Sequence, residues 1–255
     1  MEGCKRRVRR LFSDQSGKTI LLPLDYGVTE GLIPGLEDLK TLLKELTPEL
    51  VQGVILHKGF AREFGHFIDA RQNLIVHLSA GTKHGLPPYN KSLVCSIQEA
   101  LRIGADAVSV HINIGNDLED RMLSDLGMVV DEAHQLGVPV LATVFARGGQ
   151  IVNELDPALV AHCIRLGAEL GADLVKVPFP GAKDNFTKAI AACPVPVLIA
   201  GGPRQPKFEA FVDMIKQAMD IGVKGVSIGR NIFQHPEPIK ALEIIAEVVS
   251  RYGRD

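Results

Sequence analysis

The chain has 255 residues, 46% of them hydrophobic and 23% charged, with a formal net charge of −2. That composition is ordinary for a soluble globular protein with one full-sized core, and the near-neutral charge excludes a general nucleic-acid surface. No run of about 18 apolar residues occurs, so neither a membrane span nor a membrane partner is expected. The four cysteines, Cys4, Cys95, Cys163 and Cys193, are scattered without a CxxC pair, as expected of reduced thiols in a cytoplasmic protein. Linker-like and low-complexity segments are absent, and residues 1–255 read as a single domain.

The basic stretch Lys5-Arg6-Arg7-Val8-Arg9-Arg10 reads as the exposed side of an N-terminal helix, with Val8, Leu11 and Phe12 turned inward. Beyond it, short β-branched runs alternate with longer amphipathic stretches. The strand candidates are residues 19–24, 53–57, 73–78, 107–111, 139–144, 174–177, 195–200 and 225–228. Helical patterns cover residues 92–103, 126–136, 158–170 and 208–221, and glycines follow them at Gly104, Gly137, Gly171 and Gly222, where a helix C-terminus is expected. Strand–helix alternation eight times over about 250 residues predicts an α/β fold of the (β/α)8 TIM-barrel type. A doubly wound open sheet competes, but the count of eight and the lack of a Gly-rich turn after the first strand weigh against it.

Lys176 stands out, because it interrupts the apolar run Leu174-Val175-Lys176-Val177. Either its stem snorkels to solvent, or its amine is held partly desolvated inside the fold. Desolvation lowers a lysine pKa and frees the nucleophilic amine that Schiff-base chemistry on a ketone needs. An internal repeat favours the second reading. Gly104-Ala105-Asp106-Ala107-Val108-Ser109-Val110, Gly171-Ala172-Asp173-Leu174-Val175-Lys176-Val177 and Gly222-Val223-Lys224-Gly225-Val226-Ser227-Ile228 share one template. It places Ser109, Lys176 and Ser227 at one register on strands four, six and eight, as for one inward layer of a barrel.

Active sites of such barrels lie at the C-terminal strand ends. There the chain carries Asp25-Tyr26-Gly27, His57-Lys58-Gly59, Ser79, His111, Phe145-Ala146-Arg147-Gly148-Gly149, Lys176, Gly201-Gly202 and Gly229-Arg230. Gly201, Gly202, Gly229 and Arg230 occupy the usual phosphate position after strands seven and eight; their plain alternative is a pair of tight turns. Asp25 is the general acid/base candidate, against a turn or helix-capping aspartate. His57 and His111 suit substrate binding or proton transfer, and equally a structural role. Arg147 is a candidate for a second anionic end of the substrate. No His, Cys and carboxylate set has metal-ligand spacing, so no metal is expected.

These motifs resemble those of the archaeal-type class I fructose-bisphosphate aldolases over nearly the full chain. That group includes the 2-amino-3,7-dideoxy-D-threo-hept-6-ulosonate synthases and the thiolase of autoinducer-2 phosphate breakdown. The resemblance rests on Leu22-Pro23-Leu24-Asp25-Tyr26-Gly27, Leu56-His57-Lys58-Gly59, Val108–Gly115, Arg147-Gly148-Gly149, Leu174-Val175-Lys176, Ile199–Pro203 and Ile228–Gln234. It implies a (β/α)8 barrel, Lys176 as Schiff-base lysine, Asp25 as acid/base, a phosphate site at the glycines and Arg230, and a homo-oligomer, commonly a decamer.

Two positions depart from the pattern. The family's Tyr-Pro-Arg-Gly after strand five is Phe145-Ala146-Arg147-Gly148 here, and its Asp-His-Gly is Asp25-Tyr26-Gly27. Phenylalanine donates no proton, and the phenol of Tyr26 is the candidate replacement. The expected activity is a cofactor-independent aldolase or transaldolase acting on a phosphorylated ketose such as fructose 1,6-bisphosphate, or making a C7 amino-sugar precursor from dihydroxyacetone phosphate or a related donor. Thiolase-like cleavage of a phosphorylated diketone, and a non-catalytic phosphate-ligand-binding paralogue, are the alternatives.

Overall fold

The computed structural model describes residues 2–253. Eight parallel strands close into a barrel: β1 (Thr19–Pro23), β2 (Gly53–His57), β3 (Asn73–His77), β4 (Ala107–Ile114), β5 (Val140–Ala146), β6 (Leu174–Val177), β7 (Val197–Ala200) and β8 (Gly225–Ser227). Each strand pairs with its sequence neighbours, and β8 returns to β1, where Thr19 sits beside Gly225. Helices between the strands form the outer shell, as expected from the alternation.

Period-two alternation sorts the strand residues between two cores. Val175 and Val177 on β6, Val108 and Val110 on β4 and Val226 on β8 face outward into the layer shared with the helices. Leu21, Ile55, Ile75, Ala107, Leu141, Leu174 and Leu198 fill the barrel interior. The N-terminal helix (Glu2–Arg10) underlies that inner cluster: Leu11 is fully buried there, and Val8 and Phe12 pack against it as expected.

The four expected terminating glycines all have positive φ, from 70° at Gly137 to 99° at Gly104. The Gly-Ala-Asp copies of the repeat then have a structural use of their own. Asp106 Oδ2 accepts from the Leu74 N–H at 3.0 Å, and Asp173 Oδ2 accepts from the Val140 N–H at 2.9 Å, pinning the start of each strand to its neighbour. The expected helix over 92–103 needs correction. Ser92–Leu93 pairs antiparallel with Ser79–Ala80, and the helix begins only at Ile97. Ser96 holds an extended backbone and its hydroxyl accepts from the Glu99 N–H, so this serine sets the start. The helix expected over 126–136 begins earlier, at Glu119.

Candidate active site

The C-terminal strand ends enclose a cavity of about 500 Å³, into which every candidate named above opens except Gly229, which sits in its wall beside Tyr26. A larger crevice of about 980 Å³ lies at the opposite end, around Arg6, Arg9, Arg10 and Arg71, and it contains none of these residues. Ser109, Lys176 and Ser227 all line the upper cavity, so the repeat does place its polar residues inward.

Lys176 follows the buried Leu174 by two residues, so its side chain shares the inward face, level with Thr143 on β5. Burial pushes its pKa down from 10.5 to about 8; Asp25 opposes that shift and Arg230 adds to it. At that value roughly a tenth of the amine is unprotonated at neutral pH, against a few parts in ten thousand for a free lysine.

Asp25 caps no helix. The short helix Gly27–Glu30 has Tyr26 at its N-cap without a side-chain bond, and the Asp25 carboxylate instead lies 3.8 Å from His77 Nε2. His77 was not singled out from the sequence, yet it stands at the centre of a polar relay. Its Nδ1 lies 2.7 Å from Ser109 Oγ, and its Nε2 is 3.3 Å from Ser79 Oγ. The His57 ring meets it edge-on with centroids 5.2 Å apart. Burial pushes the His77 pKa down to about 4, and lowers those of His57 and His111 as well. All three imidazoles are therefore neutral at neutral pH. The period-two count from Ser79 passes through His77, so alternation alone carried a signal for it.

Lys91 also escaped the sequence reading, because it sits in an irregular loop before Ser92. The structure brings it into the cavity, where burial lowers its pKa against the pull of Asp25. Arg147 is anchored by Nε to Glu154 Oε2 at 2.8 Å, with its guanidinium 4.7 Å from the Phe145 ring centroid. Phe145 in turn meets His111 edge-on at 5.0 Å.

On the far side, the β7 and β8 loops are locked together by Asn231. Its amide donates to the Gly201 and Pro203 carbonyls at 2.9 and 3.0 Å, and its carbonyl accepts from the Gln205 N–H at 2.8 Å. Gly202 has φ of 67°, a conformation that favours glycine. A Cβ on Gly229 would lie 2.7 Å from Tyr26 Cε2 and 2.9 Å from the Pro23 carbonyl. Arg230 Nε is buried with no hydrogen-bond partner among the described residues, an orphan donor suited to an anion. Tyr26 faces this group: Arg230 lies 5.6 Å from its ring centroid, and Phe233 meets it edge-on at 5.3 Å. Burial first, and Asp25 second, push the phenol pKa up to about 12.

The fold also gathers Cys4, His134 and Asp173, whose ligand-type atoms all lie within 4.8 Å of one another. Sequence spacing could not show this, since the three come from separate elements. Here the Cys4 thiol donates to Asp173 Oδ1 at 3.1 Å and His134 Nε2 lies 3.0 Å from Asp173 Oδ2, so the three are hydrogen-bonded to one another.

A family model described as DeoC/LacD family aldolase matches residues 19–235. A 2-amino-4,5-dihydroxy-6-oxo-7-(phosphonooxy)heptanoate synthase from Streptomyces griseus is 38% identical over 247 residues, covering 97% of this chain and 90% of that protein. A class 1 fructose-bisphosphate aldolase from Thermoproteus tenax is 31% identical over 263 residues, covering 99% and 96%. A solved archaeal fructose-1,6-bisphosphate aldolase, with its catalytic lysine bound to the carbinolamine intermediate, superposes with a TM-score of 0.88 at 30% identity. It covers 97% of this chain and 99% of that one.

Proposed function

Because the chain belongs to the DeoC/LacD family of aldolases, we propose that it is a class I aldolase or transaldolase acting on a phosphorylated ketone. The observation that carries this reading is the Lys176 amine, held near pKa 8 inside the mouth cavity, with the orphan Arg230 donor among the residues around it. Gly201, Gly202 and Arg230 grip the phosphate, with Gly229 in the wall beside Tyr26, and that binding energy sets the ketone carbon against Nζ. The amine adds to the carbonyl, the carbinolamine loses water, and the resulting iminium withdraws electrons from the α-carbon. Loss of an α-proton gives an enamine, which attacks the acceptor aldehyde; hydrolysis returns the amine. The iminium is itself the electron sink, so these steps need neither a metal nor an organic cofactor.

Asp25 is the proton carrier in this reading, oriented by His77, which Ser109 and Ser79 fix in turn. Tyr26 touches the phosphate side of the cavity through Arg230, and a pKa near 12 weakens it as a donor. Tyr26→Phe therefore raises KM for the phosphorylated donor more than it lowers kcat; a loss confined to kcat would return the phenol to the proton-transfer role.

The S. griseus relative's name supplies a candidate product. Cut at the carbon–carbon bond β to its ketone carbon, a 2-amino-4,5-dihydroxy-6-oxo-7-(phosphonooxy)heptanoate yields dihydroxyacetone phosphate and a four-carbon amino-acid semialdehyde. We assign that condensation to this chain ahead of fructose 1,6-bisphosphate cleavage, since identity to that relative is 38% against 31% for the aldolase. Borohydride with dihydroxyacetone phosphate should leave a stable mass adduct on Lys176, and Lys176→Met should abolish it. Without an adduct the Schiff-base reading fails; dependence on coenzyme A would indicate the thiolase reaction, and an adduct without turnover a binding protein.

We place this activity in one domain, in the cytoplasm and in a homo-oligomer. Four free thiols suit a reducing compartment, and the exposed Leu32, Leu86 and Phe60 offer apolar surface for self-association, which light scattering measures. No helix among the described residues is long and apolar enough to cross a membrane.

A further inference from the structure

We infer that Lys91 and Arg147 form a carboxylate-binding subsite for the acceptor aldehyde and make this enzyme selective for acidic acceptors. The inference rests on the aldolase reading above. In the closed strand order, β3 and β4 lie across the barrel from β7 and β8. A donor with its phosphate on the β7 and β8 loops and its ketone at Lys176 leaves the β3–β5 side of the mouth for the second reactant.

That side carries two cations. Lys91 reaches in from the loop closed by the Ser79–Ala80 and Ser92–Leu93 ribbon, and its Nζ has no hydrogen-bond or ion-pair partner among the described residues. Lys91 is half-buried, so its ammonium is partly desolvated, and an anionic group on the substrate would pair with it. Arg147 is fixed on one edge by Glu154 and lies over the face of Phe145, which leaves its terminal nitrogens available. The imidazoles of His77 and His111 on that side, and of His57 at the end of neighbouring β2, are neutral groups and do not compete for the anion. Glu154, beside Arg147, adds an acceptor for an ammonium group. The arrangement complements an aldehyde that ends in an α-amino acid.

The test compares kcat/KM for two acceptors with dihydroxyacetone phosphate as donor: aspartate 4-semialdehyde, and butanal as a neutral aldehyde of the same length. Wild-type protein should prefer the carboxylated acceptor. Lys91→Gln should cut that preference about tenfold or more, the size expected for losing a hydrogen-bonded charge partner, while Lys91→Arg keeps most of it. An unchanged preference in Lys91→Gln, or one lost equally in Lys91→Arg, overturns the subsite. Borohydride labelling of wild-type Lys176 by the donor is run in parallel. A label together with an unchanged preference removes the subsite alone, whereas no label removes the aldolase reading and the subsite with it.

Discussion

Replacing Lys176 by Met should stabilise the protein, and by an amount that depends on pH. The lysine is enclosed by the barrel, and its pKa falls from 10.5 to about 8 on burial. At about 1.4 kcal/mol per pH unit, the folded state bears a cost of about 3 kcal/mol for the charged amine at pH 7. Between pH 8 and 10.5 the unfolded chain holds the proton and the folded chain does not, so wild-type stability rises with pH through that window. It is lost again as the pH falls toward 8. At pH 9.5 the remaining cost is about 1 kcal/mol. Met fills a similar volume without charge. Urea unfolding followed by circular dichroism, at pH 7 and pH 9.5, should show the advantage of Lys176→Met shrinking by about 2 kcal/mol at the higher pH. Loss of the Asp25 counter-charge trims the absolute gain, so the change with pH decides. A pH-independent difference, or a larger gain at pH 9.5, would refute a desolvated amine at this position.

The same titration sets the kinetics: below pH 8, kcat/KM for imine formation should fall about tenfold per pH unit, a limb that steady-state rates between pH 6 and 9 would show. Arg230→Gln should raise KM for phosphorylated donors by about 10- to 100-fold, with much less effect on dihydroxyacetone itself, because a charge-assisted grip on phosphate is lost. Gly229→Ala should cost about 1–3 kcal/mol in urea unfolding and raise the same KM, since the new methyl meets Tyr26 and the Pro23 carbonyl.

The sequence disclosed the barrel because its strands are short, β-branched and separated by glycine-terminated helices; the strands 53–57 and 174–177 match their expected bounds. Lys176 was legible for the same reason, as a charge out of place in an apolar period. Arg230 and its glycines were legible by position. His77 was obscured because its strand is apolar on the other face and a lone histidine there is unremarked until Asp25 comes within 3.8 Å. Lys91 had no periodic signal at all, since a loop lysine ordinarily belongs to solvent and only the tertiary fold half-buries it against the cavity. The Cys4, His134 and Asp173 group lay beyond any local pattern, because closure of the barrel alone brings its members together.

The helix under the barrel gives this reaction chamber a floor. Leu11, with Val8 and Phe12, seals the lower end against the ring that contains Leu21, Ile55 and Leu174, so the chamber is a cup and not a tube. Traffic through a cup has one door. Product must back out through the rim by which both reactants came in, so entry and exit share the same loops.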